Sequence, residues 1–163
     1  MILIALGGNL PSRAGEPAQT LAAALAALDH QGVRIAAVSP YYVTPAWPDP
    51  SDPPFVNAVA RIETTLAPDA LMKRLHGTET AFGRVRSRKN APRTLDLDLL
   101  DYDGRVEDGP PVLPHPRLSV RAFVLVPLAD VAPGWRHPVS GLSAAEMLAA
   151  LPEAERRAER LTS

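Results

Sequence analysis

Leucine alternates with aspartate from residue 95 to residue 99 of this 163-residue chain. Alternation with a period of two is typical of a β-strand, in which successive side chains point to opposite faces of the sheet. A strand over residues 94–102 therefore presents leucines on one face and a pair of carboxylates, Asp96 and Asp98, on the other. The leucine face has to be buried, so the fold must include a sheet that is covered on that side. We expect the aspartate face to point to solvent.

Other segments of the chain carry equally plain patterns of regular structure. The predicted strands cover residues 2–6, 33–37, 55–66 and 94–102. Leucines recur at helical spacing after Pro17 and after Pro68, and proline suits the first turn of a helix. Two further helices are predicted at residues 121–131 and 143–151. The charged tail from Pro152 is expected to be peripheral.

The order strand, helix, strand, strand, helix, strand predicts an α+β fold. It matches the ferredoxin-like βαββαβ core, an antiparallel sheet with helices on one side, here with additional C-terminal helices. A length of 163 residues is close to the usual size of one domain, so we expect residues 1–163 to form a single domain. This architecture serves many unrelated activities and does not by itself indicate a function.

The composition argues against several classes of function. A net charge of −1 and a pI near 6.4 argue against a nucleic-acid binder. No apolar stretch approaches the ~20 residues of a membrane span, and no signal peptide is visible at Met1. The absence of cysteine excludes disulfides, thiolate catalysis and Cys-ligated zinc. A cytoplasmic location is therefore the default expectation, and we separately expect the protein to be a monomer.

A carboxylate pair on one strand face suits Mg²⁺ carried by a polyphosphate, because this ion prefers oxygen ligands. Basic side chains precede the pair at a short distance: Arg84, Arg86, Arg88, Lys89 and Arg93. We call residues 84–92 the basic loop, and such a loop could bind phosphate oxygens and close over a substrate. The alternatives are a strand face that only aids solubility and a surface loop that pairs loosely with the acids.

A second loop, residues 45–54, holds five prolines and is expected to be stiff, and we call it the proline loop. Phe55 follows it and shares a strand face with Asn57, which can donate and accept hydrogen bonds. A flat heteroaromatic ligand needs both an aromatic plane and such an amide. A place in the core is the ordinary alternative for a phenylalanine. The glycine motifs of P-loop and Rossmann proteins are absent.

Residues 89–100, with the sequence KNAPRTLDLDLL, resemble the signature of the 6-hydroxymethyl-7,8-dihydropterin pyrophosphokinase family. Flanking segments resemble other motifs of that family in order and spacing: residues 5–10, 42–45, 55–58, 83–86 and 114–117. The resemblance covers essentially the whole chain. Asn90 stands where many members carry tryptophan.

The resemblance implies an enzyme of tetrahydrofolate biosynthesis that transfers pyrophosphate from ATP, its co-substrate, to the hydroxymethyl group of the pterin and releases AMP. Asp96 and Asp98 would ligate two Mg²⁺ ions, while Arg84 and Arg93 would act on the transferring phosphates as further catalytic residues. The implied ATP-binding residues are Met72, His76, Glu79, Arg84, Arg86, Arg93, Leu99, His115 and Arg121. The implied pterin-binding residues are Thr44, Pro45, Ala46, Trp47, Phe55, Asn57, Asp96 and Phe123.

Two other classes of function remain open at the level of the sequence. One is a non-catalytic ligand-binding or regulatory domain of the same fold, which would have no need of paired carboxylates beside arginines. The other is a different Asp-x-Asp enzyme, such as a sugar-nucleotide transferase, although 163 residues leave little room for its nucleotide-binding domain. Release of AMP from ATP distinguishes the three possibilities.

Overall fold

The structure, a computed structural model, describes residues 1–162. The strands are β1 (Ile2–Gly8), β2 (Arg34–Val38), β3 (Tyr42–Thr44), β4 (Phe55–Glu63), β5 (Asp96–Tyr102), β6 (Glu107–Asp108), β7 (Val112–Leu113) and β8 (Glu159–Arg160). The α-helices are α1 (Pro17–Asp29), α2 (Pro68–Ala81), α3 (Ala122–Val131) and α4 (Ala144–Ala149). Short 3₁₀ turns lie at Leu118–Val120 and Glu153–Glu155. None of the helices among these residues is long and apolar enough to cross a membrane.

Six of the strands form one sheet in which every pair is antiparallel. β1 lies between β4 and β5, and β4 also pairs with β2 and β3. The register places Gly7 opposite Asn57 on one side and opposite Asp96 on the other. Ala5 is likewise opposite Val59 and Asp98. Directly opposed residues point to the same face, so these rows bring the carboxylates beside the amide.

Helices cover both faces of the sheet. Leu97 and Leu99 of β5 pack with the apolar residues of α1 and α2 in one hydrophobic cluster. The other face carries Leu3, Val59 and Leu100, which pack against α3 and α4 in a second cluster. The predicted arrangement with helices on one side therefore holds for α1 and α2, while the C-terminal helices close the opposite face. The α+β class with an antiparallel sheet is confirmed, and its ferredoxin-like detail stays a prediction.

Helix boundaries follow local chemistry. Pro17 stands in the first turn of α1, where its missing N–H costs no hydrogen bond, and Glu16 and Gln19 form a capping box there. Pro68 has the same position in α2. The chain leaves α2 through Gly83, whose φ of 84° is easily adopted by glycine.

The tail from Pro152 is less peripheral than the sequence suggests. β8 pairs with β3, and the Leu161 N–H donates a hydrogen bond to the Tyr41 carbonyl at 2.7 Å. The short strands β3, β6, β7 and β8 are absent from the predicted set. Strands of two or three residues lack room for a period-two pattern, and backbone pairing leaves little trace in side-chain type.

One buried hydrogen-bond group joins the sheet to the C-terminal region. Asp101 of β5 is buried, and its carboxylate accepts hydrogen bonds from Trp135 Nε1 at 2.7 Å and from the Gly104 N–H at 3.0 Å. Trp135 belongs to the cluster that covers the second face of the sheet. Both donors are satisfied by the two oxygens of one carboxylate.

Asp101→Asn is expected to lower the free energy of unfolding by about 1–3 kcal/mol, because its amide retains one acceptor oxygen for two donors, of which Trp135 Nε1 is buried. Asp103→Asn is the matched control. Asp103 is exposed, pairs with the N-terminal amine and has φ of 53°, a conformation that asparagine tolerates. Its replacement should change stability by less than about 0.5 kcal/mol. Urea denaturation measures both, and equal effects would contradict the role of the buried group.

Candidate active site

Two pockets adjoin at the end of the sheet that α3 leaves open. The larger has a volume of about 520 Å³ and the smaller about 360 Å³. The side chains that line both pockets are Asn90, Arg93, Asp96, Asp98, Arg117 and Arg121. The predicted carboxylate pair therefore lies at the junction of two spaces, together with three guanidinium groups.

The larger pocket combines aromatic rings with a buried amide. Phe55 and Phe123 line it, as does the exposed Trp47 of the proline loop. Asn57 lies in its wall and donates a hydrogen bond from Nδ2 to Thr44 Oγ1 at 2.7 Å. A Cβ on Gly7 would lie 2.7 Å from Asn57 Oδ1, so the glycine is needed for this amide position. Such a pocket suits a flat polar ring.

The smaller pocket is built around a buried carboxylate. Glu79 on α2 accepts hydrogen bonds from Arg84 at 2.8 Å and from the Leu97 N–H at 2.9 Å, and it pairs with Arg86 at 3.3 Å. Arg84 also contacts Asp96 at 2.7 Å. Burial raises the pKa of Glu79 to about 7, although the Leu97 N–H and Arg84 act in the opposite direction. Glu79 thus holds the start of the basic loop against β5.

Two groups at the junction have shifted pKa values. Burial, and next the charge of Asp96, raise the pKa of Asp98 to about 6 against the opposing effect of nearby arginines. Burial lowers the pKa of Arg121, and the positive charges of Arg117 and Arg93 act in the same direction. The closely placed cations favour an anion with many oxygens, such as a polyphosphate.

His115 also lies in the smaller pocket. Burial and the neighbouring Arg121 lower its pKa, so the imidazole is neutral at pH 7. A neutral imidazole can donate one hydrogen bond without adding to the positive charge of the pocket.

The donor set fits Mg²⁺ brought in by a polyphosphate. Over the part of the chain that the structure describes, no group of three or more His, Asp or Glu side chains could hold a metal ion. Mg²⁺ is commonly held by one or two carboxylates, with phosphate oxygens and water as its other ligands. Asp96 and Asp98 match that pattern. Contrary to the expectation of an open face, both carboxylates are partly buried, because the loops and the N-terminal end of α3 surround them.

Most of the predicted site residues line one of the two pockets. In the larger pocket these are Thr44, Pro45, Trp47, Phe55, Asn57, Arg93, Asp96, Asp98, Arg121 and Phe123. In the smaller pocket they are His76, Glu79, Arg84, Arg86, Arg93, Asp96, Asp98, His115 and Arg121.

Three predicted residues line neither pocket. Leu99 is buried in the core, Met72 packs against that core, and Ala46 is buried next to Trp47. Their proposed ligand contacts stay predictions. Arg117 lines both pockets but is absent from the predicted set, although it is the last residue of the segment 114–117 that resembles a family motif.

A family model described as 7,8-dihydro-6-hydroxymethylpterin-pyrophosphokinase (HPPK) matches residues 3–133, a range that includes every residue of both pockets. The chain is 42% identical over 153 residues to the 2-amino-4-hydroxy-6-hydroxymethyldihydropteridine pyrophosphokinase of Pseudomonas aeruginosa, covering 93% of this chain and 91% of that protein. The protein of the same name from Methylorubrum extorquens is 43% identical over 132 residues, covering 80% of this chain and 81% of the relative. The folic acid synthesis protein fol1 of Pneumocystis carinii is 33% identical to this chain over 145 residues, which cover 88% of this chain and 19% of that protein.

Arg84→Ala is expected to lower the free energy of unfolding by about 2 kcal/mol or more, because it leaves the buried Glu79 carboxylate without its closest cation. Arg86→Ala is the control: Arg86 pairs with the same carboxylate, but its side chain is 66% exposed against 13% for Arg84. Its loss should cost less than about 1 kcal/mol.

The double variant Glu79→Gln/Arg84→Ala should lose less stability than the sum of the losses in Glu79→Gln and Arg84→Ala, because it removes the unpaired charge of Glu79. Urea denaturation of the ligand-free protein measures the stability of Arg84→Ala, Arg86→Ala, Glu79→Gln and the double variant. Equal losses for the two arginines would contradict this account of the buried carboxylate.

Proposed function

This chain belongs to the 7,8-dihydro-6-hydroxymethylpterin-pyrophosphokinase family, and we propose that its two adjoining pockets are the sites of its two substrates. The protein is an enzyme of folate biosynthesis that transfers pyrophosphate to 6-hydroxymethyl-7,8-dihydropterin. The observation that carries the proposal is the shared wall of the pockets. It holds two carboxylates and three arginines between an aromatic space and a cationic space.

The smaller pocket takes ATP in this proposal. Arg84, Arg86 and Arg93 bind the polyphosphate, and Arg121 extends this cationic surface into the larger pocket. Glu79 orients Arg84 and Arg86 through the contacts described above, while His76 and His115 supply imidazole nitrogens. Leu99 and Met72 complete the proposed ATP-binding set.

The larger pocket takes the pterin. The rings of Phe55 and Phe123 stack on its two faces, and Asn57 pairs with its polar edge. The proline loop contributes Pro45, Ala46 and Trp47, and Thr44 at the end of β3 adds a further contact. The hydrogen bond between Asn57 and Thr44 supports this assignment, because it orients the amide before the ligand arrives.

Two Mg²⁺ ions are held by Asp96 and Asp98 in the proposal, with ATP supplying the remaining oxygens. When bound, Mg²⁺ neutralises phosphate charge and makes the attacking alcohol more acidic. The support comes from the donor set: two carboxylates next to a space lined by cations.

The protein's own residues chiefly align the reactants. The hydroxymethyl oxygen bonds to the β-phosphorus while the bridge between the α- and β-phosphates breaks, so AMP leaves and the hydroxyl proton is released. Arg84 and Arg93 flank Asp96, at 2.7 Å and 3.5 Å, and can neutralise charge that develops on the phosphate oxygens. Holding both substrates at one wall contributes the entropic part of the rate enhancement.

We further propose that residues 1–163 act as a single domain and as a monomer in the cytoplasm, without a nucleic-acid partner. Two observations support this. Both pockets lie on one continuous sheet, which agrees with a single domain. A net charge of −1 and the absence of cysteine agree with a cytoplasmic enzyme that binds small molecules.

The proposal is tested by incubating the protein with ATP, Mg²⁺ and 6-hydroxymethyl-7,8-dihydropterin and identifying the nucleotide product. AMP together with the pterin diphosphate supports the proposed transfer. ADP, or AMP formed equally without the pterin, contradicts it.

Asp96→Asn and Asp98→Asn are each expected to reduce kcat at least a hundredfold while leaving the unfolding transition in place, because each removes a charged metal ligand and nearly preserves side-chain shape. Asp103→Asn, on the exposed turn after β5, is the control and should retain full activity. Turnover is measured as AMP release over a range of Mg²⁺ concentrations. A variant with more than a tenth of wild-type kcat at saturating Mg²⁺ would argue against a metal role for that residue.

Phe123→Ala is expected to raise the KM for the pterin about tenfold, as stacking on one aromatic face is worth about 1–3 kcal/mol. The KM for ATP should stay within about twofold, because Phe123 lines only the larger pocket. Initial-rate kinetics with each substrate varied in turn separate the two constants. Equal increases in both would contradict the assignment of one substrate to each pocket.

A further inference from the structure

Asn9 lies behind the pockets, directly after β1. The residue is 3% exposed and lines neither pocket. Nδ2 donates a hydrogen bond to the Pro53 carbonyl at 3.0 Å, and Oδ1 accepts one from the Arg93 N–H at 2.8 Å. The Asn9 N–H in turn donates to the Arg93 carbonyl at 2.9 Å. One buried side chain therefore connects segments that are 44 and 84 residues away in the sequence.

The two segments carry groups that are assigned to different substrates. Pro53 lies in the proline loop, two residues before Phe55, on the side assigned to the pterin. Arg93 follows the basic loop and lies three residues before Asp96, on the side assigned to ATP. Asn9 is thus a short bridge between the backbone beside the stacking ring and the backbone beside the carboxylates.

Asparagine has the chemistry that this bridge requires. The site needs one donor and one acceptor on a short side chain, and both partners are backbone groups that sequence changes elsewhere do not remove. Aspartate supplies the acceptor but no donor, and alanine supplies neither. Glutamine is longer by one methylene and would displace both partners.

We infer that Asn9 is a positioning residue that sets the distance between the proline loop and Arg93, and thereby aligns the pterin alcohol with the phosphate chain. The inference rests on the proposed function, since it assigns the two sides to the two substrates. Reacting atoms must lie about 3–3.5 Å apart, and a displacement of about 1 Å can cost about a hundredfold in rate. A pair of hydrogen bonds that fixes both sides acts on that distance directly.

The test compares Asn9→Ala and Asn9→Asp with Ser39→Ala. Ser39 is a matched control because it is also buried and bridges backbone groups, donating to the Pro40 carbonyl at 2.8 Å and accepting from the Val59 N–H at 3.0 Å. It lines neither pocket. Each variant is characterised by thermal unfolding, by kcat for AMP formation and by KM for each substrate.

We expect Asn9→Ala and Ser39→Ala to lower the unfolding temperature by similar amounts, but only Asn9→Ala to lower kcat, by about a hundredfold. Asn9→Asp keeps the acceptor for the Arg93 N–H and loses the donor to Pro53. It should raise the KM for the pterin about tenfold and leave the KM for ATP within about twofold. If Asn9→Ala does not fold, Asn9→Asp against Ser39→Ala decides the question.

Kinetic constants of the Asn9 variants that match those of Ser39→Ala would overturn the positioning role, and so would an Asn9→Asp variant in which both KM values rise equally. The two failures are distinguishable. A wild-type protein that forms no AMP from ATP and the pterin contradicts the proposed function and, with it, this inference. A wild-type protein that forms AMP, with Asn9 variants that behave like the control, contradicts the inference alone.

Discussion

The register of β1 between β4 and β5 sets the positions of the side chains on which both pockets depend. It aligns Asn57, Gly7 and Asp96 in one row, and Val59, Ala5 and Asp98 in the next. The central strand carries only glycine and alanine in these rows, so the floor of the larger pocket is backbone and small side chains. A slip of one of these strands by one residue would send its groups in these rows to the opposite face, into the apolar cluster under α1 and α2. The core that anchors the leucines of β5 therefore also fixes the site.

Charge balance determines how the smaller pocket can exist without a ligand. Glu79 is buried where a carboxylate is costly, yet it accepts the Leu97 N–H and holds Arg84, which in turn contacts Asp96. These ion pairs hold the carboxylates of Glu79 and Asp96 in contact with guanidinium groups, whereas in water the same groups would separate. A polyphosphate can then exchange places with some of these internal contacts, so binding does not require the full cost of assembling the cations.

Much of the fold was predictable from local pattern. Alternation over residues 55–66 and 94–102 gives β4 and β5 within a few residues, and proline and leucine spacing gives the starts of α1 and α2. The cover of the second face was not predictable in the same way. Val59 lies two residues after Asn57 and therefore on the same strand face, but nothing in that alternation says that α3 and α4 bury it. The short strand β8 pairs through backbone atoms, which any residue type can supply.

For the site, the sequence by itself determined the chemistry: a carboxylate pair, a group of arginines and an aromatic residue beside an amide, in segments that carry a recognisable family signature. These features are local, because strand periodicity and residue type suffice to state them. Only the tertiary structure decided that the groups meet at one wall between two pockets and that Asp98 is partly buried there. It also decided that Arg117 is part of that wall. The same is true of Asn9, whose importance lies in two backbone partners far away in the chain. Contacts between distant segments follow from how the layers pack, and a single sequence carries no periodic signal for them.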